Sequence, residues 1–359
     1  MIRKEDIISS LQEDNHIYFN ISNLKEYANK VVSLAKAKVL RGDKDELLSY
    51  VIYYDNMPEI FISMVWTKPE NRGKGLAKAI LLDLIESSSK DLLLEVHKNN
   101  PALFLYEKLK FKIIGSSGEM IKMCYRKSIS IMQPYLFPYI GYFHLIEASE
   151  LFIFYDDVNY IKKGWINRNR ILMNGKEYTF TVPLRKASQN KLINELVPII
   201  DDRWKSKFQK QLEQAYSKAP YYKDVVDLLL SVFDKGHANI TDLCISSIQM
   251  VYSYLGKELN YNRSSQVAPE TRSLKKAKRL LEITKRLGYK KYNNAIGGEH
   301  LYDKVYFQKN DVELSFVKSK IQAYNQFNRE FIKDLSIIDI LMFNDIATVK
   351  KYLNDFELV

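Results

Sequence analysis

An α/β chain made of two successive α+β units is the fold class that three features of the sequence predict. Its 359 residues exceed one ordinary domain and suggest two or three, each long enough to bury a core. Short runs rich in Val, Ile, Leu and Tyr alternate with segments whose apolar residues recur every three or four positions. Turn residues separate the two kinds of segment, and neither a solenoid-type repeat nor a low-complexity tract interrupts them.

Residues 1–43 read as two amphipathic helices, through Ile7, Ile8 and Leu11 and then Leu24, Tyr27, Val31, Val32 and Leu34. Glu46–Tyr54 and Ile60–Trp66 are apolar strands on either side of the turn Asp55-Asn56-Met57-Pro58, so they form a hairpin. A Gly-rich loop leads into a helix over Leu76–Ser87. Leu92–Val96 is a strand, Pro101–Leu109 a helix, and Phe111–Ile114 with Met120–Tyr125 a closing strand pair. The chain then passes without a Pro/Gly-rich linker, around residues 126–130, into its second unit, which gives domains at 1–127 and 128–359.

In the second unit Ile129–Met132 and Leu151–Tyr155 look like buried strands. Arg170–Met173 and Glu177–Val182 flank Asn174-Gly175, the two-residue signature of a hairpin closed by a type I′ turn. Residues 202–257 and 271–287 are helical in pattern, Val312–Phe316 is strand-like, and Asn328–Phe343 reads as a terminal helix. The strands of this half therefore fall mostly early.

Composition excludes several function classes. No stretch approaches the ~18 consecutive apolar residues of a membrane span, and the first residues lack the apolar core of a secretory signal. A cytoplasmic chain with no integral membrane segment is expected. Cys124 and Cys244 are far apart, with no CxxC pair and no His-rich cluster, so neither a disulfide nor a structural zinc or haem site is expected. The 54 Lys+Arg against 43 Asp+Glu give a formal charge of +11, which favours anionic partners. The basic residues are dispersed and no nucleic-acid-binding signature is present, so phosphorylated small molecules are expected rather than nucleic acid.

The segment Arg72-Gly73-Lys74-Gly75-Leu76-Ala77 follows a strand and opens a helix. Glycines there either make an ordinary strand-to-helix turn or let successive N–H groups point at an anion on the helix N-terminus. The segment resembles the acetyl-CoA loop of the GNAT N-acetyltransferases, Arg/Gln-x-x-Gly-x-Gly/Ala, with Arg72, Gly75 and Ala77 in the matching places. Asn99-Asn100-Pro101-Ala102-Leu103-Phe104-Leu105-Tyr106-Glu107-Lys108-Leu109-Lys110-Phe111 is similar to the family's second signature. The resemblance covers roughly residues 1–127. It implies the GNAT fold, a mixed and mostly antiparallel sheet flanked by helices. It further implies acyl transfer from acetyl-CoA to an amine in a ternary complex.

By that resemblance Met64, Val65 and Trp66 align the pantetheine through their backbone, and Arg72, Gly73, Lys74, Gly75, Leu76, Ala77 and Asn99 complete the coenzyme A site. Tyr106 matches the tyrosine that protonates the departing sulfur, the alternative being a core aromatic. Glu95 matches a glutamate that serves as base, the alternative being a solvated strand residue. His97 shares its strand face as a reserve base. Lys110 stands where the family has glycine, just past the helix, where a left-handed cap costs lysine roughly 1 kcal/mol more than glycine.

Further on, Met132-Gln133-Pro134-Tyr135-Leu136-Phe137-Pro138-Tyr139-Ile140-Gly141-Tyr142-Phe143-His144 concentrates two prolines and five aromatic residues, either a rigid packed turn or a set of hydroxyls and ring faces for a sugar or base. Tyr155-Asp156-Asp157-Val158 and Lys162-Lys163-Gly164-Trp165-Ile166-Asn167-Arg168-Asn169-Arg170 follow. Together with Ala219-Pro220-Tyr221, with Tyr292–Tyr302, which contains Gly297-Gly298, and with Leu335–Asp339, they resemble the WbqC-like family from about Ile129 to Phe343. That family is found among genes for bacterial O-antigen and related surface polysaccharides, and glycyl or other aminoacyl transfer to a sugar is one suggested activity.

Gln133, Tyr135, Tyr139, Lys163, Trp165, Asn167, Arg168 and Arg170 are the expected sugar-nucleotide contacts. Lys163, Arg168 and Arg170 are suited to a diphosphate and Trp165 to stacking, the alternative being a solvated basic turn. His144, Asp156 and Asp157 are candidates for acid–base work or for a metal with oxygen ligands. The expected whole is an acyltransferase of surface-glycan (O-antigen, lipopolysaccharide) biosynthesis, N-acetylating a dTDP- or UDP-linked aminosugar. The alternatives are acetylation of protein N-termini, or a second half that binds sugar without catalysis.

Overall fold

The computed structural model describes residues 2–14, 21–320, 322–327 and 330–359. They divide into two compact units, Met1–Lys127 and Ser128–Val359. The first comprises helices α1 (Lys4–Asp14) and α2 (Leu24–Leu34), strands β1 (Lys36–Arg41), β2 (Leu47–Tyr54) and β3 (Ile60–Thr67), helix α3 (Leu76–Ser87), strand β4 (Leu92–His97), helix α4 (Ala102–Lys108), and strands β5 (Lys112–Ser117) and β6 (Met120–Tyr125). The strands form one sheet in the order β1-β2-β3-β4-β6-β5, in which only the β3–β4 pair is parallel. This is the mixed, mostly antiparallel sheet that the resemblance implies.

The period-2 alternation of its strands gives the sheet two apolar faces. Tyr50, Ile52, Met64 and Trp66 pack with Ile7, Leu11, Ala28 and Val31 of α1 and α2. Val51, Ile62, Leu92, Leu94 and Val96 face the other way, onto Ile80, Leu81 and Leu84 of α3 and Tyr106 of α4. The reading of residues 1–43 as two helices needs correcting: the second ends at Leu34, and Lys36–Arg41 pairs antiparallel with β2. Within that strand Ala37 and Val39 pack on the first core, so pairing with a distant strand overrides local pattern. Met1 and residues 15–20 of that segment lie outside the described residues.

Lys110 adopts the left-handed conformation expected at the end of α4, with φ of 68°. Its N–H donates to Glu107 O at 2.9 Å and that of Phe111 to Tyr106 O at 3.0 Å, the paired bonds of a Schellman cap. Lys110→Gly is expected to stabilise the first unit by about 1 kcal/mol, seen as a rise in melting temperature with unchanged activity.

The second unit comprises strand β7 (Ile129–Met132), helix α5 (Ile140–Glu147), strands β8 (Leu151–Phe154), β9 (Arg168–Met173) and β10 (Lys176–Thr181), helices α6 (Asp202–Tyr216), α7 (Tyr222–Ser231) and α8 (Ile240–Tyr254), strand β11 (Tyr261–Arg263), helices α9 (Ser264–Val267) and α10 (Lys276–Arg286), strand β12 (Lys291–Ala295), helix α11 (Lys304–Gln308), strand β13 (Glu313–Ser319), helices α12 (Ile337–Phe343) and α13 (Ile346–Leu353), and strand β14 (Phe356–Leu358). Its main sheet runs β11-β8-β7-β12-β13-β14, parallel save for the edge strand β14. Counted along the chain this is the doubly wound order third, second, first, fourth, fifth, sixth, which reverses between β7 and β12. β9 and β10 form a separate hairpin, closed by Asn174 and Gly175 at φ of 53° and 76° as a type I′ turn requires.

Two expectations change here and one is refined. The strands are not mostly early, since β11 to β14 all follow residue 260. The helical stretch 202–257 is three helices, with breaks around Pro220 and Gly236 and side-chain caps from Asp201 and Asn239. The terminal helix read over Asn328–Phe343 begins only at Ile337, while residues 328 and 329 lie outside the described residues. Ser336 holds the preceding backbone extended: its N–H donates to Arg170 O at 2.8 Å and its hydroxyl to Phe137 O at 2.6 Å.

Candidate functional site

The first candidate site lies where β3 and β4 part. Their register runs Ile60↔Leu92, Phe61↔Leu93, Ile62↔Leu94 and ends there. β3 nevertheless stays paired to β2 through Thr67, and β4 to β6 through His97. At the parting point Ser63 is an extra residue, because the partners of Ile52 and Tyr53 are Met64 and Ile62. Such a bulge bends and twists a strand, so Met64, Val65 and Trp66 line a wedge rather than a continuous sheet. The side chains of Met64 and Trp66 are buried, Trp66 stacked on Tyr50 with ring centroids 5.5 Å apart. What these residues turn toward β4 is therefore backbone.

β3 leads into the Gly-rich loop. Gly73 and Gly75 have φ of 77° and 83°, and Gly75 is the N-cap of α3, which has no side-chain cap. Neither glycine is crowded: a Cβ built on either meets nothing within 4 Å. The glycines thus answer a backbone requirement and leave open space before the first N–H groups of a 12-residue helix, Leu76 and Ala77 among them. An anion fits there on both hydrogen-bonding and dipole grounds. Arg72 Nε is tied back to Thr67 O at 3.0 Å and Lys74 Nζ to Asn71 Oδ1 at 2.9 Å, which braces the loop against β3.

Tyr106 is buried in the α3–α4 core, edge-on to Phe111 at 5.8 Å, and its hydroxyl makes no hydrogen bond among the described residues. Burial pushes its pKa up to about 12, so it is a protonated donor across the whole working range. Glu95 and His97 are exposed on the opposite face of β4 from Leu94 and Val96, with Glu95 across from Lys122. His97 Nδ1 accepts the Asn99 N–H at 3.2 Å. Asn99 itself is exposed, and the neighbouring Asn100 holds the start of α4 through Ala102 N at 2.9 Å.

In the second unit the expected acid–base residues all have hydrogen-bond partners within the fold. His144 is buried between two partners, Nε2 against Tyr352 O at 2.8 Å and Nδ1 against Ser319 Oγ at 2.8 Å. A carbonyl only accepts, so Nε2 carries the proton and Nδ1 accepts from the serine. Burial lowers the His144 pKa, so the ring stays neutral and neither nitrogen is spare. Asp156 accepts from Ser265 N at 3.1 Å and Ser265 Oγ at 2.8 Å, holding the first turn of α9. Asp157 accepts from Ser264 Oγ at 2.5 Å and from Arg279 Nη2 at 2.6 Å. Arg279 was not legible as a partner; its signal was only an arginine on the apolar face of an amphipathic helix. Among the described residues no group of three or more His, Cys, Asp and Glu side chains is arranged to hold a metal.

The expected sugar-nucleotide contacts divide likewise. Asn167 is buried and structural, its Oδ1 accepting from Tyr160 OH at 2.9 Å and its Nδ2 donating to Val182 O at 2.7 Å. Arg170 forks onto Glu177 at 2.9 and 2.8 Å, and Arg168 donates to the carbonyls of Lys163 and Gly164. Both guanidinium groups lie over the Trp165 ring, at 5.6 Å for Arg168 and 5.1 Å for Arg170. Both arginines are held against the hairpin, with Arg170 Nε buried and without a hydrogen-bond partner among the described residues, and Lys163 alone of the three cations is exposed. Gln133, Tyr135 and Tyr139 occupy the loop after the carboxyl end of β7 and are half-buried, with the Tyr135 ring 5.3 Å from that of Tyr142.

Residues 133–351 match the model of the WbqC-like protein family, and residues 5–111 match that of the acetyltransferase (GNAT) family. The uncharacterized protein Rv1507c of Mycobacterium tuberculosis is 28% identical over 230 residues, which are 63% of this chain and 97% of that protein. Among solved structures, NAA60 of Arabidopsis thaliana in complex with a bisubstrate analogue is 19% identical, covers 33% of this chain and 91% of its own, and has a TM-score of 0.29. The PaiA N-acetyltransferase of Thermoplasma acidophilum, in complex with coenzyme A, is 17% identical, with 35% and 95% covered and a TM-score of 0.29. Among the described residues no helix is long and apolar enough to cross a membrane.

Proposed function

Because the chain belongs to the WbqC-like protein family and carries an acetyl-CoA-dependent N-acetyltransferase domain of the GNAT family ahead of it, we propose that its acceptor is an aminosugar, linked to dTDP or UDP, in bacterial surface-glycan (O-antigen) biosynthesis. The acetyltransferase domain takes residues 1–127 and the WbqC-like domain 128–359, and the reaction takes place in the cytoplasm. The observation that supports transfer chemistry is the wedge between β3 and β4 beside an uncapped helix start. The formal charge of +11 suits two anionic ligands. With Asp156, Asp157 and His144 committed to the fold, the second domain is read first as the holder of the sugar, ahead of aminoacyl transfer.

The residues present suit coenzyme A: open space over Gly73 and Gly75 and N–H groups at the start of α3 for its phosphates, and a strand edge at Met64–Trp66 for an extended amide chain. When bound, acetyl-CoA supplies an acyl carbon activated as a thioester. Glu95, exposed beyond the end of the β3–β4 ladder, takes a proton from the ammonium of the acceptor directly or through water, with His97 on the same face in reserve. Tyr106, on the other face of the sheet, holds a proton for an anionic leaving group. Because its pKa is raised to about 12, that proton is fully present at neutral pH and is lost only as pH rises through that value.

The test is incubation of the whole chain with acetyl-CoA and a panel of UDP- and dTDP-linked aminosugars, reading free thiol and product mass. Thiol release with one acetyl added to a sugar is expected, and release with a peptide amine but with none of the sugars overturns the acceptor assignment. In the same assay Tyr106→Phe is expected to lower kcat roughly 100-fold with little change in coenzyme A affinity. The unaltered chain is expected to show no fall in kcat assignable to this tyrosine near pH 10, where an exposed tyrosine titrates.

A further inference from the structure

The sheet of the second unit opens at the point where its strand order reverses. The register of β7 and β12 consists of Ile129↔Tyr292 and Ser130↔Asn293 and goes no further. On their outer sides β7 stays paired to β8 through Met132↔Phe154, and β12 to β13 through Ala295↔Val317. The last two residues of each strand are therefore held from outside while the ladder between them has ended. The chain then leaves toward opposite faces. After β7 it enters α5, whose Phe143 and Leu145 lie in one core. After β12 it runs to α11, whose Phe307 lies in the other with Ile131 and Tyr292. At the carboxyl ends of parallel strands this geometry leaves a crevice.

Its lining says what would occupy it. Asn294 is only 5% exposed; its Oδ1 accepts the Ala295 N–H at 2.8 Å, while its NH2 group has no partner among the described residues. That NH2 group is not a fully buried orphan: it keeps some contact with solvent, where a bound group can accept from it. The turn Gly297-Gly298 lies directly against that amide: a Cβ on Gly298 would come 2.7 Å from Asn294 Nδ2, whereas one on Gly297 meets nothing within 4 Å. Tyr292 shares the Asn294 face of β12 and is buried there, its hydroxyl donating to Ile131 O at 3.5 Å. The hydroxyls of Tyr155 and Tyr302 are close enough to raise its pKa further. The Tyr155 ring is backed by the Arg279 guanidinium at 4.8 Å. After β7 stands Gln133-Pro134-Tyr135, not a glycine fingerprint, so a dinucleotide pyrophosphate on α5 is not what this crevice is shaped for.

We propose that the β7–β12 crevice is the site at which the second domain binds the ring-bearing part of a nucleotide-linked sugar, through the Asn294 amide, the Gly297-Gly298 turn and the half-buried Tyr155 and Tyr302. The ligand class rests on the acceptor reading above; the place rests on the sheet alone. A hydroxylated ring offers the acceptor that Asn294 lacks and a face for tyrosine.

Calorimetric titration of the full chain with UDP, with dTDP and with free glucosamine tests this. At least one should bind, and the one that does tells base from sugar. Gly297→Val, which enters open space, and Asn294→Ala should each weaken that binding roughly tenfold or more while coenzyme A binding is retained. If Asn294→Ala fails to fold, Gly297→Val decides. Silence of the unaltered chain toward all three probes, or variants that bind as well as it does, overturns the inference. Sugar acetylation with a KM that neither variant moves would overturn this site and leave the acceptor reading standing. Binding that the variants abolish, in a chain that acetylates no sugar, would do the reverse.

Discussion

Gly75→Val is expected to abolish measurable coenzyme A binding. Two effects act in the same direction. At φ of 83° a β-branched residue is strained, by roughly 1–2 kcal/mol, so the loop shifts toward a conformation that no longer presents the start of α3. The new side chain also enters the open space in front of that helix, since a Cβ there contacts no protein atom. A hydrogen bond to a charged group contributes about 1.5–3 kcal/mol, and the loss of two lowers affinity roughly 10²- to 10⁴-fold. Because the space is empty of protein, the fold itself should survive, with a melting temperature within a few degrees of the parent. Calorimetry with coenzyme A reads the effect. A valine variant that binds as the parent does would mean the loop is an ordinary turn. Gly73→Ala, at φ of 77° and without branching, should fall between the two.

What the sequence made legible was local. The Asp55–Pro58 hairpin, the Gly-rich loop before α3, the Asn174-Gly175 turn and the left-handed Lys110 are each fixed by residues within a few positions of one another. What it hid was decided far along the chain. β1 is a strand because β2 pairs with it, and β11, a three-residue strand, because β8 lies beside it in parallel. Parallel partners are joined only through long crossovers, so no turn announces them. The same distance hides the partners of the buried side chains. Asp157 and Arg279 are 122 positions apart, and His144 and Tyr352 are 208 apart. A buried histidine or aspartate with a remote partner looks in sequence like one waiting for a proton. The wedge between β3 and β4 and its Ser63 bulge had no signal of their own, although Met64, Val65 and Trp66, which the resemblance singles out, lie beside them.

Arg279→Met is expected to cost the second domain roughly 3–5 kcal/mol. Arg279 and Asp157 are 2% and 0% exposed, with Nη2 and Oδ2 2.6 Å apart. Removing the guanidinium leaves Asp157 with the Ser264 hydroxyl at 2.5 Å and Arg272 Nε at 3.6 Å, which do not replace a bonded cation in a buried place. It also strips Tyr155 and Thr271 of a partner. For a domain of this size such a loss lowers the melting temperature by about 10 °C, read by differential scanning calorimetry of the whole chain. Asp157→Asn alone should also destabilise, because the charged arginine then stays buried without its counter-ion. The double variant should recover part of the loss, since neither buried charge is left uncompensated. This pattern separates a structural ion pair from a reacting carboxylate. An acid or base at Asp157 would give Asp157→Asn a parental melting temperature and lost turnover, and partial rescue by the second substitution would not follow. Single variants that melt like the parent would return Asp157 to the list of groups free to do chemistry.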